Sequence, residues 1–166
     1  TLTDDFWRDG LGEVVKYGCI GDEALFRLLE ENAGGGRIAL MGVIGEILTH
    51  CIQYKANIVA QDEHDTGLRM TLNFGHTIAH AVETCQHYTG MRHGEAMTEE
   101  KGMTEQGTSA RLNRLLDALG MPRQLPAIPE KDLLNAMTLD KKSAGKQLRV
   151  ITLDKIGVCR IVPTDV

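Results

Sequence analysis

A mainly α-helical bundle with a small β-hairpin at its C-terminal end is the fold that this sequence predicts, on three observations. Apolar residues recur at helical spacing from the N-terminus to about Met137. Strand-like alternation is scarce over that stretch, and aromatic residues make up only 4% of the chain. Past Gly145 the period changes to two. Residues 148–153 and 158–162 flank Asp154-Lys155-Ile156-Gly157, which reads as a hairpin with a four-residue loop. At 166 residues the chain is expected to be a single domain able to bury a real core.

In order along the chain, a first helix opens near Asp5 and runs toward Cys19. Asp22 caps a second, whose apolar stripe is Leu25, Phe26, Leu28 and Leu29, and the run Gly34-Gly35-Gly36 ends it. One longer helix then carries Leu40, Ile44, Ile47, Leu48, Cys51 and Ile52 as core positions, with Lys55 near its end. Residues 62–69, DEHDTGLR, read as a charged turn, so Asp62, Glu63 and Asp65 default to solvated loop. The histidine-rich stretch follows. Residues 98–108 are polar and punctuated by glycine, hence loop. Leu112, Leu115, Leu116 and Leu119 then mark an amphipathic helix closed by Gly120, and a shorter helix from Pro129 contains Leu133, Leu134 and Met137.

Bulk properties exclude several function classes. The net charge is −5 and no Lys/Arg block could track a phosphate backbone, so nucleic acid is not expected as a partner. No apolar run is long enough to span a bilayer and no signal-peptide pattern is present, which gives a cytoplasmic expectation without membrane contact. Cys19, Cys51, Cys85 and Cys159 are scattered without a CxxC, so they read as buried reduced thiols, and any metal must use histidine and carboxylate. Thr1 at one end and residues 163–166 at the other give the expectation that both ends are cut from something longer.

Chemistry concentrates between Leu72 and Met97. His76 and His80 stand one helical turn apart on one face, and His93 follows seventeen residues after His76, at what reads as the start of another helix. Neutral imidazole is the commonest metal ligand, so a divalent site is a fair reading. Spacing alone leaves equally open a hydrogen-bonded core histidine and a surface one. Arg69 and Asn73 precede His76 by seven and three residues, which on a continuous helix gathers the three near one face. Arginine offers a bidentate fork for carboxylate or phosphate, and asparagine both a donor and an acceptor.

The segments GLGEVVKYG (10–18), KANIVAQDEHDTGLRMTLNFGHTIAHAVE (55–83), HGEAM (93–97), LGMPRQLP (119–126) and DKKSAGKQLRVITLDKIG (140–157) together resemble the C-terminal domain of the 3-dehydroquinate synthase family. The likeness covers nearly the whole chain, and LNFGHTIAHAVE followed by HGEA is far more specific than HxxxH. It implies that residues 1–166 are the second, helical domain of such an enzyme. That domain would bind a catalytic zinc, with cobalt as the alternative, through Glu13, His76 and His93. It further implies that Lys16 and His80 lie near the reacting hydroxyls and that Lys55 and Arg69 pair with a substrate carboxylate. Asn73 and one of Lys141 and Lys142, assigned to Lys141, would hold a phosphate. The implied reaction turns 3-deoxy-D-arabino-heptulosonate 7-phosphate into 3-dehydroquinate and phosphate, in the shikimate route to aromatic amino acids. NAD would be bound mainly by an N-terminal domain that this chain lacks, and a homodimer is the implied assembly.

Two departures from the family pattern stand out. Nothing here resembles a nucleotide-binding half, so the chain alone is expected to be inactive. Met97 runs straight into TEEKGM where the family continues with an apolar helix, so about three turns are expected to be missing between residues 97 and 98. Other readings are a different sugar-phosphate cyclase, a glycerol-dehydrogenase-like metal enzyme, or a non-catalytic helical assembly module.

Overall fold

The computed structural model describes residues 2–65, 67–85, 105–122, 127–129, 131–133, 135–137 and 149–163. The first helix, α1 (Asp4–Ile20), is the element around which the others gather. Thr3 caps it by accepting the Phe6 amide, Asp4 and Asp5 suit its positive end, and its buried face runs through Leu11, Val15, Cys19 and Ile20. It packs against α2 (Glu23–Ala33), against a longer helix, α4 (Ile44–Gln61), and against both strands.

Asp22 does two jobs between these helices. Its Oδ1 accepts the Leu25 amide at 2.9 Å and caps α2, while Oδ2 accepts from His50 Nδ1 on α4 at 2.7 Å. The expected stripe of α2 is buried at Leu25, Phe26 and Leu29.

The single long helix expected after the glycine run is two helices, α3 (Gly36–Gly42) and α4, separated at Val43. Gly42 and Gly45 bracket two β-branched residues there, Val43 and Ile44, and glycine lowers the cost of leaving the helical conformation. Two residues assigned to the core are also exposed, Leu48 at 50% and Ile52 at 67%. The face of α4 that meets the core carries Ile47, Cys51, Tyr54 and Ile58, so Leu48 and Ile52, one position further on, lie about 100° round the helix.

The stretch before His76 is not a continuous α-helix. A 3-10 helix (Leu68–Asn73) is followed by a break at Phe74-Gly75, with Gly75 at φ +76°, before α5 (His76–Cys85) begins. The amphipathic helix further on is α6 (Thr108–Ala118), closed at Gly120 as expected. Arg111 clamps α6 to α2: Nε and Nη2 donate to Glu30, Nη1 donates to Glu23 at 3.2 Å, and the guanidinium covers the Phe26 ring. Residues 131–133 and 135–137 are helical, in line with the short helix expected from Pro129.

The hairpin pairs β1 (Arg149–Lys155) with β2 (Val158–Pro163) in antiparallel register, from Arg149 opposite Pro163 to Lys155 opposite Val158. Its turn is two residues, Ile156-Gly157, with a bulge near Asp154, rather than the four-residue loop expected. Gly157 has φ +79°, and a Cβ there would lie 2.9 Å from Glu23 Cβ. Its amide donates to the Cys19 carbonyl at 2.8 Å, so the hairpin tip satisfies one of the open carbonyls at the end of α1. Gly157→Ala is therefore expected to lower the urea stability by about 1–3 kcal/mol, from the left-handed backbone alone. An unchanged urea midpoint would contradict this.

Among the described residues no helix is long and apolar enough to cross a membrane. Cys19 is buried, whereas Cys51, Cys85 and Cys159 are half-buried; all four are free thiols. Burial pushes Cys19 up to about 12 and Cys51 and Cys159 to about 11, so these three stay protonated and unreactive at neutral pH.

Candidate active site

On α1, Glu13, Lys16 and Tyr17 stand three and four residues apart and so present side chains on one face. Lys55 comes from α4. The loop after α4 supplies Asp65, the 3-10 helix supplies Arg69, Leu72 and Asn73, and His76 stands at the first position of α5. Three residues per turn puts Arg69 and Leu72 in one row of the 3-10 helix. These nine residues line one pocket of about 260 Å³. Six of them, Glu13, Lys16, Lys55, Arg69, Asn73 and His76, are residues that the sequence singled out.

Three cations, Lys16, Lys55 and Arg69, face two carboxylates, Glu13 and Asp65, around this space. Lys16 is almost fully buried, with 4% of its side chain exposed, and Nζ donates to Glu13 Oε2 at 2.7 Å. Burial pushes the Lys16 ammonium below the usual lysine range and neighbouring Lys55 pushes the same way, while Glu13 partly restores it. Nζ also lies 5.2 Å from the Tyr17 ring centroid, and that ring is tilted against Tyr54 at 5.7 Å. Burial raises the Tyr17 phenol, and it raises Tyr54 to about 12, so both are neutral, Tyr17 as a wall of the pocket and Tyr54 behind it.

His76 shows how its imidazole is set. Its Nδ1 lies 3.3 Å from the Phe74 carbonyl oxygen, which can only accept, so Nδ1 carries the proton and the lone pair of the neutral ring is on Nε2. A backbone carbonyl fixing the tautomer in this way is the usual support behind a metal-binding histidine. A carboxylate and such an imidazole in one pocket suit zinc or cobalt, and Glu13 and His76 are the residues here that would hold it. His93, Lys141 and Lys142 lie outside the described residues; among the described residues no three His, Cys, Asp or Glu side chains come close enough to hold an ion. His80 is exposed and edge-on to His76, with ring centroids 5.9 Å apart, and is not one of the pocket-lining residues.

Sequence reasoning missed Tyr17, Asp65 and Leu72. Tyr17 read only as part of the first helix, although its place four residues after Glu13 is what puts it on the pocket. Asp65, expected to be solvated loop, adopts φ +55°, a left-handed turn that aspartate tolerates, and this sets it on the pocket wall.

Comparison with known proteins gives the family of the chain. Residues 10–143 match the family described as 3-dehydroquinate synthase C-terminal. The chain is 36% identical to the 3-dehydroquinate synthase of Clostridium kluyveri over 172 residues, covering 98% of this chain and 47% of the relative. It is 40% identical to that of Clostridium perfringens over 178 residues, covering 100% and 50%. The chain thus spans about half the length of the curated relatives it matches. Among solved structures, ValA, a 2-epi-5-epi-valiolone synthase from Streptomyces hygroscopicus with NAD+ and Zn2+ bound, superposes with a TM-score of 0.85 at 21% identity, over 100% of this chain and 49% of that one. At that identity the likeness speaks for the fold. The family match over most of the chain carries the assignment: this chain belongs to the 3-dehydroquinate synthase C-terminal family.

Proposed function

We propose that this chain is the metal- and substrate-binding half of a 3-dehydroquinate synthase, whose intact form converts 3-deoxy-D-arabino-heptulosonate 7-phosphate into 3-dehydroquinate and phosphate. The observation that carries the reading is the convergence of Glu13, Lys16, Lys55, Arg69, Asn73 and His76 on one pocket. Zinc held by Glu13, His76 and His93 would supply a Lewis acid at the substrate hydroxyls, and NAD bound mainly by the other half would supply the hydride chemistry.

The chain's own residues do the binding. Lys55 and Arg69 pair with the substrate carboxylate. Asn73 and Lys141 hold the phosphate that leaves. Lys16 Nζ, fixed by Glu13 and shielded from water, donates a hydrogen bond to a reacting hydroxyl, with His80 nearby. The cationic excess of the pocket suits a substrate that carries both a carboxylate and a phosphate. On this reading the intact enzyme is a cytoplasmic homodimer.

Mixing the 166-residue chain with substrate, zinc and NAD is expected to release no phosphate in a colorimetric assay, whereas the intact parent turns over. Steady release by the isolated chain would contradict the division of labour proposed. The shared fold also admits a sugar-phosphate cyclase with another substrate, as the Streptomyces 2-epi-5-epi-valiolone synthase illustrates. Assaying the intact parent on heptulose phosphates with and without a carboxylate separates the two, since preference for the form lacking it would undo the roles of Lys55 and Arg69.

A further inference from the structure

Asp62 sits where a carboxylate does its own helix no service. It is the residue that ends α4, its amide still bonded to the Ile58 carbonyl, and a negative charge at a helix C-terminus opposes the helix dipole. Its side chain reaches forward instead. Oδ2 accepts the amide of Gly67 at 2.8 Å and that of Arg69 at 2.9 Å, the exposed donors at the start of the 3-10 helix. Gly67, the cap position of that helix, has no side chain to do this. One oxygen from five residues upstream therefore ties the 3-10 helix to the end of α4.

Arg69 is the residue most affected. Its amide is held by Asp62, and its guanidinium Nη1 donates to the Glu63 carbonyl at 3.0 Å, so the loop grips it at both ends. The same loop turns Asp65 onto the pocket wall. We infer that Asp62 is a positioning residue: by holding the Gly67 and Arg69 amides it sets the Arg69 guanidinium for an anionic group of the ligand, which, if the function proposed above holds, is the substrate carboxylate. Asp62 touches no ligand itself. Its action runs through Arg69, and that coupling separates it from a carboxylate that merely steadies a loop.

The test is a mutant cycle on the zinc-loaded chain, titrated calorimetrically with 3-deoxy-D-arabino-heptulosonate 7-phosphate. Asp62→Ala is expected to weaken binding about tenfold. Asp62→Asn, which keeps an acceptor oxygen, is expected to stay near wild type. Adding Asp62→Ala to Arg69→Ala is expected to cost nothing more than Arg69→Ala alone, because both changes remove the same contact. Arg111→Ala, which breaks the α2–α6 clamp away from the pocket, is the control for lost stability: it is expected to lower the melting temperature without weakening binding. Additive losses in the double variant, or a loss in Asp62→Ala that Arg111→Ala matches at equal melting temperature, would overturn the inference.

A second readout needs no ligand. Phenylglyoxal labelling of Arg69, followed by peptide mass spectrometry, is expected to run several-fold faster in Asp62→Ala and near the wild-type rate in Asp62→Asn. If the wild-type chain binds no substrate, the functional reading fails while this measurement still decides the role of Asp62. Faster labelling supports it, and an unchanged rate overturns it.

Discussion

On the zinc site proposed above, His76→Ala is expected to abolish tight binding of zinc by the chain. Losing an outer hydrogen-bond partner of a metal ligand costs roughly 10–100-fold in affinity, and removing the ligand itself should exceed that range. The Phe74 carbonyl commits the proton to Nδ1 and so puts the lone pair of the neutral ring on Nε2, the form in which an imidazole binds metal. Competition against a chromophoric chelator, with elemental analysis after dialysis, measures the change. Glu13→Ala in parallel is expected to lose zinc too, and also to lower stability, since it removes the carboxylate that compensates the buried Lys16 ammonium. Glu13→Gln keeps an acceptor for Lys16 and so separates the two effects. Zinc content unchanged in His76→Ala and Glu13→Ala would favour a non-catalytic helical module.

The other large effect is expected in the core. Phe26 is fully buried between α1 and α2, packed so closely that a Cβ on Gly18 would lie 3.1 Å from Phe26 Cβ, and its ring carries the Arg111 guanidinium. Phe26→Ala is expected to cost about 3–5 kcal/mol, from lost transfer energy and the cavity left behind. Against a total of roughly 5–15 kcal/mol for a domain, that is a large share. The melting temperature should fall by roughly 6–20 °C. A fall of less than about 2 °C would mean that the α1–α2 seam collapses around the gap and that Phe26 is not the anchor it looks to be.

How far the chain could be understood before its structure was known differs by element. The start of α2 and the existence of the hairpin follow from local chemistry: Asp22 as a cap, Gly157 in the turn, and a change of period. The break at Val43 does not, because a glycine within a periodic stretch is compatible with either one helix or two. Leu48 and Ile52 lie outside the core for a related reason. Periodicity shows that α4 has an apolar side, but which strip of it meets the core depends on where α1 and α2 lie. The site was hardest to see from spacing. Glu13, Lys55 and Arg69 are remote from one another in the chain and would each pass for a surface charge; their grouping came from family resemblance, and the shared pocket is what the fold adds. Asp62 and Asp65 escaped because an acidic loop looks the same in sequence whether its carboxylates face water, amides or a pocket.

The bond from the Gly157 amide to the Cys19 carbonyl carries a consequence for biosynthesis. A ribosome makes α1 early and β2 late, so the Cys19 carbonyl lacks this partner until both strands have left the exit tunnel. Glu13 and Lys16 sit on that helix within two turns of the bond. Closing so distant a contact is slow, so this last bond at the end of α1 forms only when the strands made last fold back onto the helix made first.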